Sequence, residues 1–108
     1  MDEEVIELKI DGSSTNVQFE RDLAGGLVEA FELCKRKQAS YGPGNIYWLG
    51  MRGVFVRVWD KVQRLMRLVW HGMANPLQDE TIEDTWRDIL NYSAIAIMLK
   101  RGVFPKPE

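Results

Sequence analysis

The stretch 81–101, TIEDTWRDILNYSAIAIMLKR, is the part of the chain from which the fold follows. Placed at about 100° per residue, Trp86, Ile89, Leu90 and Ile97 fall on one side, and Tyr92, Ile95 and Leu99 fall on another. The spacing predicts a helix from about Thr81 to about Arg101, apolar on two faces and therefore covered on two sides. Asp79, Glu80, Glu83 and Asp84 gather at its start, where the positive end of a helix favours carboxylates, and Gly102 ends it. A chain of 108 residues has little to lay on the second side, so the pattern implies an oligomer.

Two further helices precede it. Residues 51–71 place Phe55, Val58, Val62, Leu65, Met66 and Val69 on one arc, with Trp59 at its edge. Arg57, Asp60, Lys61, Arg64 and Arg67 take the other arc, and Gly72 and Asn75-Pro76 break the helix. Residues 22–39 turn Leu23, Leu27, Ala30, Phe31 and Cys34 inward and Glu29, Glu32 and Arg36 outward. Gly25-Gly26 reads either as a close approach of another backbone or as a helix starting nearer Leu27. Between these helices, SYGPGNIYWLG (40–50) is a loop rich in aromatic residues, of the kind that folds over a pocket or an interface. Ahead of them, Ile6, Leu8 and Ile10 alternate with polar residues, Asp11 to Ser14 makes a turn, and Val17 and Phe19 resume the alternation. This predicts a β-hairpin within residues 1–20, marginal alone and leaning on the bundle or on a partner chain. Residues 102–108 read as a short tail. The expectation is a mainly α single domain: an N-terminal β-hairpin, then a three-helix bundle over 22–101 completed by oligomerisation.

Composition narrows the chemistry. A net charge of −2 argues against direct binding of nucleic acid, which needs an excess of Lys and Arg. The single Cys34 and single His71 leave no disulfide framework and no site needing two His. Cys34 reads as a small core residue and His71 as a helix-end residue. No apolar run is long enough for a membrane span, and the first residues are acidic where a signal peptide is basic. The expected setting is therefore the cytoplasm.

What remains is carboxylates and cations. Asp84 and Asp88, four apart, share a helix face with Glu80 one turn before and Asn91 one turn after. Hard oxygen ligands at that spacing suit Mg²⁺ or Mn²⁺; the alternative is a solvated face with helix-end electrostatics. Glu29-x-x-Glu32 is either a second ligand pair or a solvent-facing pair balanced by Lys35 and Arg36. Arg57, Lys61 and Arg64 make a basic row able to hold a polyphosphate, or paired with Asp60 and Asp88. Lys37 could meet a phosphate while Tyr41 or Trp48 stacks on a base; alternatively the loop aromatics seal the core.

In order along the chain, Lys37-x-x-x-Tyr41-Gly42, Arg57-x-x-x-Lys61-x-x-Arg64-Leu65 and Glu80-Thr-x-x-Asp84-Thr85-x-x-Asp88-x-x-Asn91-Tyr92 resemble the phage and bacterial family called nucleotide modification associated domain 1. That family is similar to the all-α NTP pyrophosphatases of the MazG type. The resemblance spans residues 22–101. It implies a helical bundle assembled as a homodimer or homotetramer, in the host cytoplasm if phage-encoded, acting in nucleotide metabolism or DNA base modification. It also implies a Mg²⁺-dependent nucleotide-binding protein that splits a (d)NTP into (d)NMP and pyrophosphate. Asp84, Asp88 and Glu80, with Glu29 and Glu32, would hold the metal. Lys61, Arg64 and Lys37 would stabilise the leaving group, and Arg57, Tyr41, Trp48 and Asn91 would bind the nucleotide. The pattern departs from MazG in offering D-x-x-x-D on the later helix where MazG has E-x-x-D. Binding or sequestering a nucleotide without turnover is the alternative, and a structural helical oligomer that binds a protein partner is another.

Overall fold

The computed structural model describes residues 3–108, and four α-helices carry the fold. They are α1 (Val17–Tyr41), α2 (Gly44–Tyr47), α3 (Gly50–Leu65) and α4 (Ile82–Arg101). A π-helical turn, Met66–Trp70, prolongs α3. The mainly α class holds. No helix among the described residues is long and apolar enough to cross a membrane.

The β-hairpin is a correction. Residues 3–10 have no regular structure and find no strand partner, and Val17 and Phe19 lie inside α1. The reason is local: the Asn16 side chain accepts the Phe19 N–H at 2.8 Å and caps a helix there, five residues before the predicted start. Glu20, in the first turn, then accepts from the N–H groups of Asp11, Gly12 and Ser14 and from the Ser14 hydroxyl. That carboxylate gathers the turn 11–14 onto the helix.

Hydrogen bonds from the Ser14 side chain, then from the backbone of Ser14, Gly12 and Asp11, hold the Glu20 carboxyl down to about 2, from an ordinary value of 4.5. A depressed value means the lock is complete above about 4.5 and is lost as pH falls towards 2. The Gly12 and Ser14 amide resonances are therefore expected to titrate near pH 2. A midpoint at the ordinary carboxylate value would show that the turn is not held this way.

α4 is the central element, with α3 packed along one side and α1 more lightly along another. Thr81 caps α4 through a capping box with Asp84, and Gly102, in left-handed backbone, ends it. The core joins Ile46 of α2, Val54 of α3, Ile95 of α4 and Phe104. Phe104 comes from the predicted tail, so that segment is part of the core. The predicted inward arc of α1 is mostly uncovered: Ala30 is buried and Cys34 half-buried, while Leu23, Leu27 and Phe31 remain exposed. Likewise only Leu65 of the predicted core arc of α3 is fully buried; Phe55, Val62, Met66 and Val69 face outward.

Gly25 and Gly26 make no close approach, since a Cβ on either meets nothing within 4 Å. Gly25→Ala is therefore expected to stabilise the chain by about 0.5–1 kcal/mol through helix propensity, read as a raised thermal midpoint.

Candidate functional site

Three helices bring side chains of opposite charge to one cleft. On α1, Cys34, Lys37, Gln38 and Tyr41 recur at helical spacing and share a face. On α4, Asp88, Asn91, Tyr92 and Ile95 do the same. Asn45 of α2 and Arg57 of α3 complete the wall. The cleft has a volume of about 290 Å³, at the lower edge of small-molecule sites.

Asp88 is its centre. The side chain is 13% exposed, and both oxygens are engaged: Lys37 Nζ lies 2.9 Å from Oδ1 and Lys61 Nζ 3.1 Å from Oδ2. Lys61 does not line the cleft; it reaches Asp88 from α3 and also donates to Glu80 Oε1 at 3.1 Å. Burial of Lys61 favours its neutral form, but the hydrogen bonds and charges of Asp88 and Glu80 outweigh that and hold the ammonium above the ordinary lysine value. Arg57 Nη2 donates to the Asn45 carbonyl at 2.8 Å, which fixes the guanidinium in the wall. Burial raises the Cys34 thiol, with Lys37 opposing, so it stays a protonated wall residue.

Of the residues picked out by the sequence, Lys37, Tyr41, Arg57, Asp88 and Asn91 line this cleft together. Tyr41 stands at the rim, 69% exposed. Trp48, 67% exposed, is not in the wall; it meets Tyr47 edge-on with ring centroids 5.2 Å apart. Tyr41 and Trp48 therefore do not seal the core between the helices, whereas Tyr47 packs against it. Arg64 is committed elsewhere, donating to Thr85 Oγ1, to Asn75 Oδ1 and to the Glu80 carbonyl.

The five candidate metal carboxylates fall in two places: Glu29, Glu32 and Asp84 line a second cleft with Arg36 and Arg87, while Glu80 and Asp88 both meet Lys61. Asp84 takes the Thr81 N–H at 3.0 Å and Arg87 Nη1 at 3.1 Å. The Thr81 backbone and side chain, together with the charges of Arg87 and Lys37, hold its carboxyl below the usual range. Arg87 also pairs with Glu29 and Glu83, Glu32 pairs with Lys35, and Glu80 pairs with Lys61. Among the described residues, no three His, Cys, Asp or Glu side chains converge as a metal ion requires. As placed, the carboxylates do not fit a divalent ion held by the protein alone.

Gln38, Asn45 and Tyr92 are cleft residues to which the sequence reading assigned no binding role, although Tyr92 closes the third motif. Gln38 and Tyr92 were within reach: each sits on the same helix face as a residue already named, Gln38 beside Tyr41 and Tyr92 beside Asp88. Asn45 had no such signal, because it lies in a segment read as loop. Comparison with known protein families, with curated proteins and with solved structures finds no match.

Proposed function

We propose that this chain binds a phosphorylated nucleotide in the cleft between α1, α3 and α4, without needing a protein-held metal. The observation that carries the reading is Asp88 gripped by Lys37 and Lys61, with Arg57 fixed in the same wall. Lys37 is half exposed and keeps donors for a ligand, and Arg57 offers a fork suited to phosphate oxygens. The other lining residues are of a different kind. Gln38, Asn45 and Asn91 supply amide donors and acceptors, and Tyr41 supplies a ring at the rim, which suits a base and sugar. The ordered motifs that resemble the nucleotide modification associated family support the same substrate class.

Mg²⁺ or Mn²⁺ enters this reading only as a companion of the ligand's own phosphates, since such ions keep several waters and need few protein oxygens. No hydrolytic step is assigned to these carboxylates, each of which is already paired with a Lys or Arg. Binding without turnover is therefore preferred over pyrophosphate release.

Titration calorimetry with nucleoside mono-, di- and triphosphates, with and without Mg²⁺, tests the reading. Affinity is expected to rise with phosphate number in metal-free buffer. Lys37→Ala and Arg57→Gln are each expected to weaken it about tenfold or more, as charge-assisted hydrogen bonds are lost. No heat with any of these nucleotides would refute binding. Pyrophosphate appearing in the Mg²⁺ samples, and abolished by Asp88→Asn, would replace it with the hydrolase reading.

A further inference from the structure

Phe55, Trp59, Val62, Met66 and Val69 follow one another at intervals of four, three, four and three, which places them along one seam of α3 and its π-helical extension. Each is between 38% and 66% exposed. The neighbouring seam, which includes Val54, Leu65 and Leu68, is the one buried in the chain. α3 is thus apolar on two faces, and one of them has no cover within the chain.

The area shows how much cover is missing. The chain exposes 8707 Å², whereas a folded monomer of its mass exposes about 6,200 Å². The excess is shared between the irregular residues before α1 and the uncovered helix faces. The helix share is divided among α1 (Leu23, Leu27, Phe31), α3 and α4 (Trp86, Leu90, Ile97), and a stable dimer takes roughly 800 Å² from each partner.

We propose that this seam is a homodimer interface, in which α3 of one protomer packs along α3 of a second copy. An isologous contact requires one patch to fit itself, and a row at four-three spacing does so because the same row supplies both knobs and holes. A membrane surface fits less well. Of the five cations on this segment, only Arg52 and Arg67 are left exposed to meet anionic headgroups, because Arg57, Lys61 and Arg64 are turned to Asn45, Glu80, Asp88 and Thr85. That polar face belongs to the cleft side, and the dimer therefore leaves the cleft open. The interface stands whether or not a nucleotide binds.

Sedimentation velocity on the full chain is expected to give twice the 12.5 kDa of one chain, and Trp59→Glu is expected to return it to one. Val62 lies midway along the seam, so Val62→Cys in a Cys34→Ala background is expected to cross-link to itself under mild oxidation. Ser93→Cys on α4 is expected not to. The cross-link does not depend on Trp59→Glu folding as a monomer. A 12.5 kDa species at every concentration would overturn the proposal. So would a dimer that Trp59→Glu leaves intact while Val62→Cys stays uncross-linked, or a monomer that floats with anionic vesicles.

Discussion

Arg64→Ala is expected to lower stability by about 3 kcal/mol, and with it the thermal midpoint by roughly 12–24 °C for a domain of this size. The side chain is half-buried and serves three acceptors from one fork. Nε donates to Thr85 Oγ1 at 3.1 Å, and Nη2 donates to Asn75 Oδ1 at 3.1 Å and to the Glu80 carbonyl. Thr85 is fully buried, so no water replaces the lost donor. Asn75 in turn donates to the same Glu80 carbonyl at 2.9 Å and accepts the Leu77 N–H at 3.0 Å. Arg64 therefore pins the connection from α3 to α4, a segment without a buried apolar side chain of its own. Arg64→Lys is expected to recover less than half of the loss, because a single ammonium cannot span three acceptors that a planar fork meets. Thermal denaturation reads the stability, and faster amide exchange confined at first to residues 72–81 reads the cause. An unchanged midpoint in Arg64→Ala would show that the fork carries no net energy.

Asp88→Ala has the next largest expected effect, about 2 kcal/mol, or roughly 8–16 °C in midpoint. Removing the carboxylate leaves Lys37 and Lys61 converging on one point with nothing between them. Lys61 carries most of the cost, being the more buried of the two; the Lys37 arm is half exposed and screened. The pH dependence gives an independent check. Lys61 is held above its ordinary value of 10.5. A raised value means its contribution is fully present below 10.5 and is lost as pH rises through the higher folded value. The stability gap between wild type and Asp88→Ala is therefore expected to stay level from neutral pH to about 10 and to narrow above it.

The helices of this fold were legible because their ends carry caps. Thr81 with Asp84, and Gly102, bounded α4 within a residue of the prediction. The start of α1 was missed because alternation in residues 6–19 reads as strand, whereas one Asn16 side chain is enough to begin a helix at Val17. Periodicity also located apolar faces correctly without saying which were inside. The arc through Phe55, Val62 and Val69 reads as core, yet it is the adjoining seam with Val54 and Leu68 that is buried. Hydrophobic spacing reports that a face needs covering; it does not report whether the cover comes from the same chain.

The site divided in the same way. Spacing on single helices put Lys37 beside Tyr41 and Asp88 beside Asn91, and these faces do meet in the cleft. Pairing between helices could not be read from spacing. It decides that Asp88 faces two lysines, that Asp84 turns back to Thr81 and Arg87, and that Arg64 serves a loop. A row of like residues on one helix thus separates into a cleft wall, Arg57, a support for Asp88, Lys61, and a structural anchor, Arg64.

In the proposed reading the cleft takes phosphate through Lys37 and Arg57, with Asp88 as their counter-charge and not as a metal ligand. The dissociation constant of a nucleoside triphosphate in metal-free buffer, compared between wild type and Asp88→Asn, separates the two roles. The amide keeps the shape of the side chain and removes its charge. Tighter binding by Asp88→Asn is expected, because Lys37 is released from its carboxylate and no anion remains beside the phosphates. Weaker binding by Asp88→Asn, or binding by wild type only when Mg²⁺ is present, would contradict that reading.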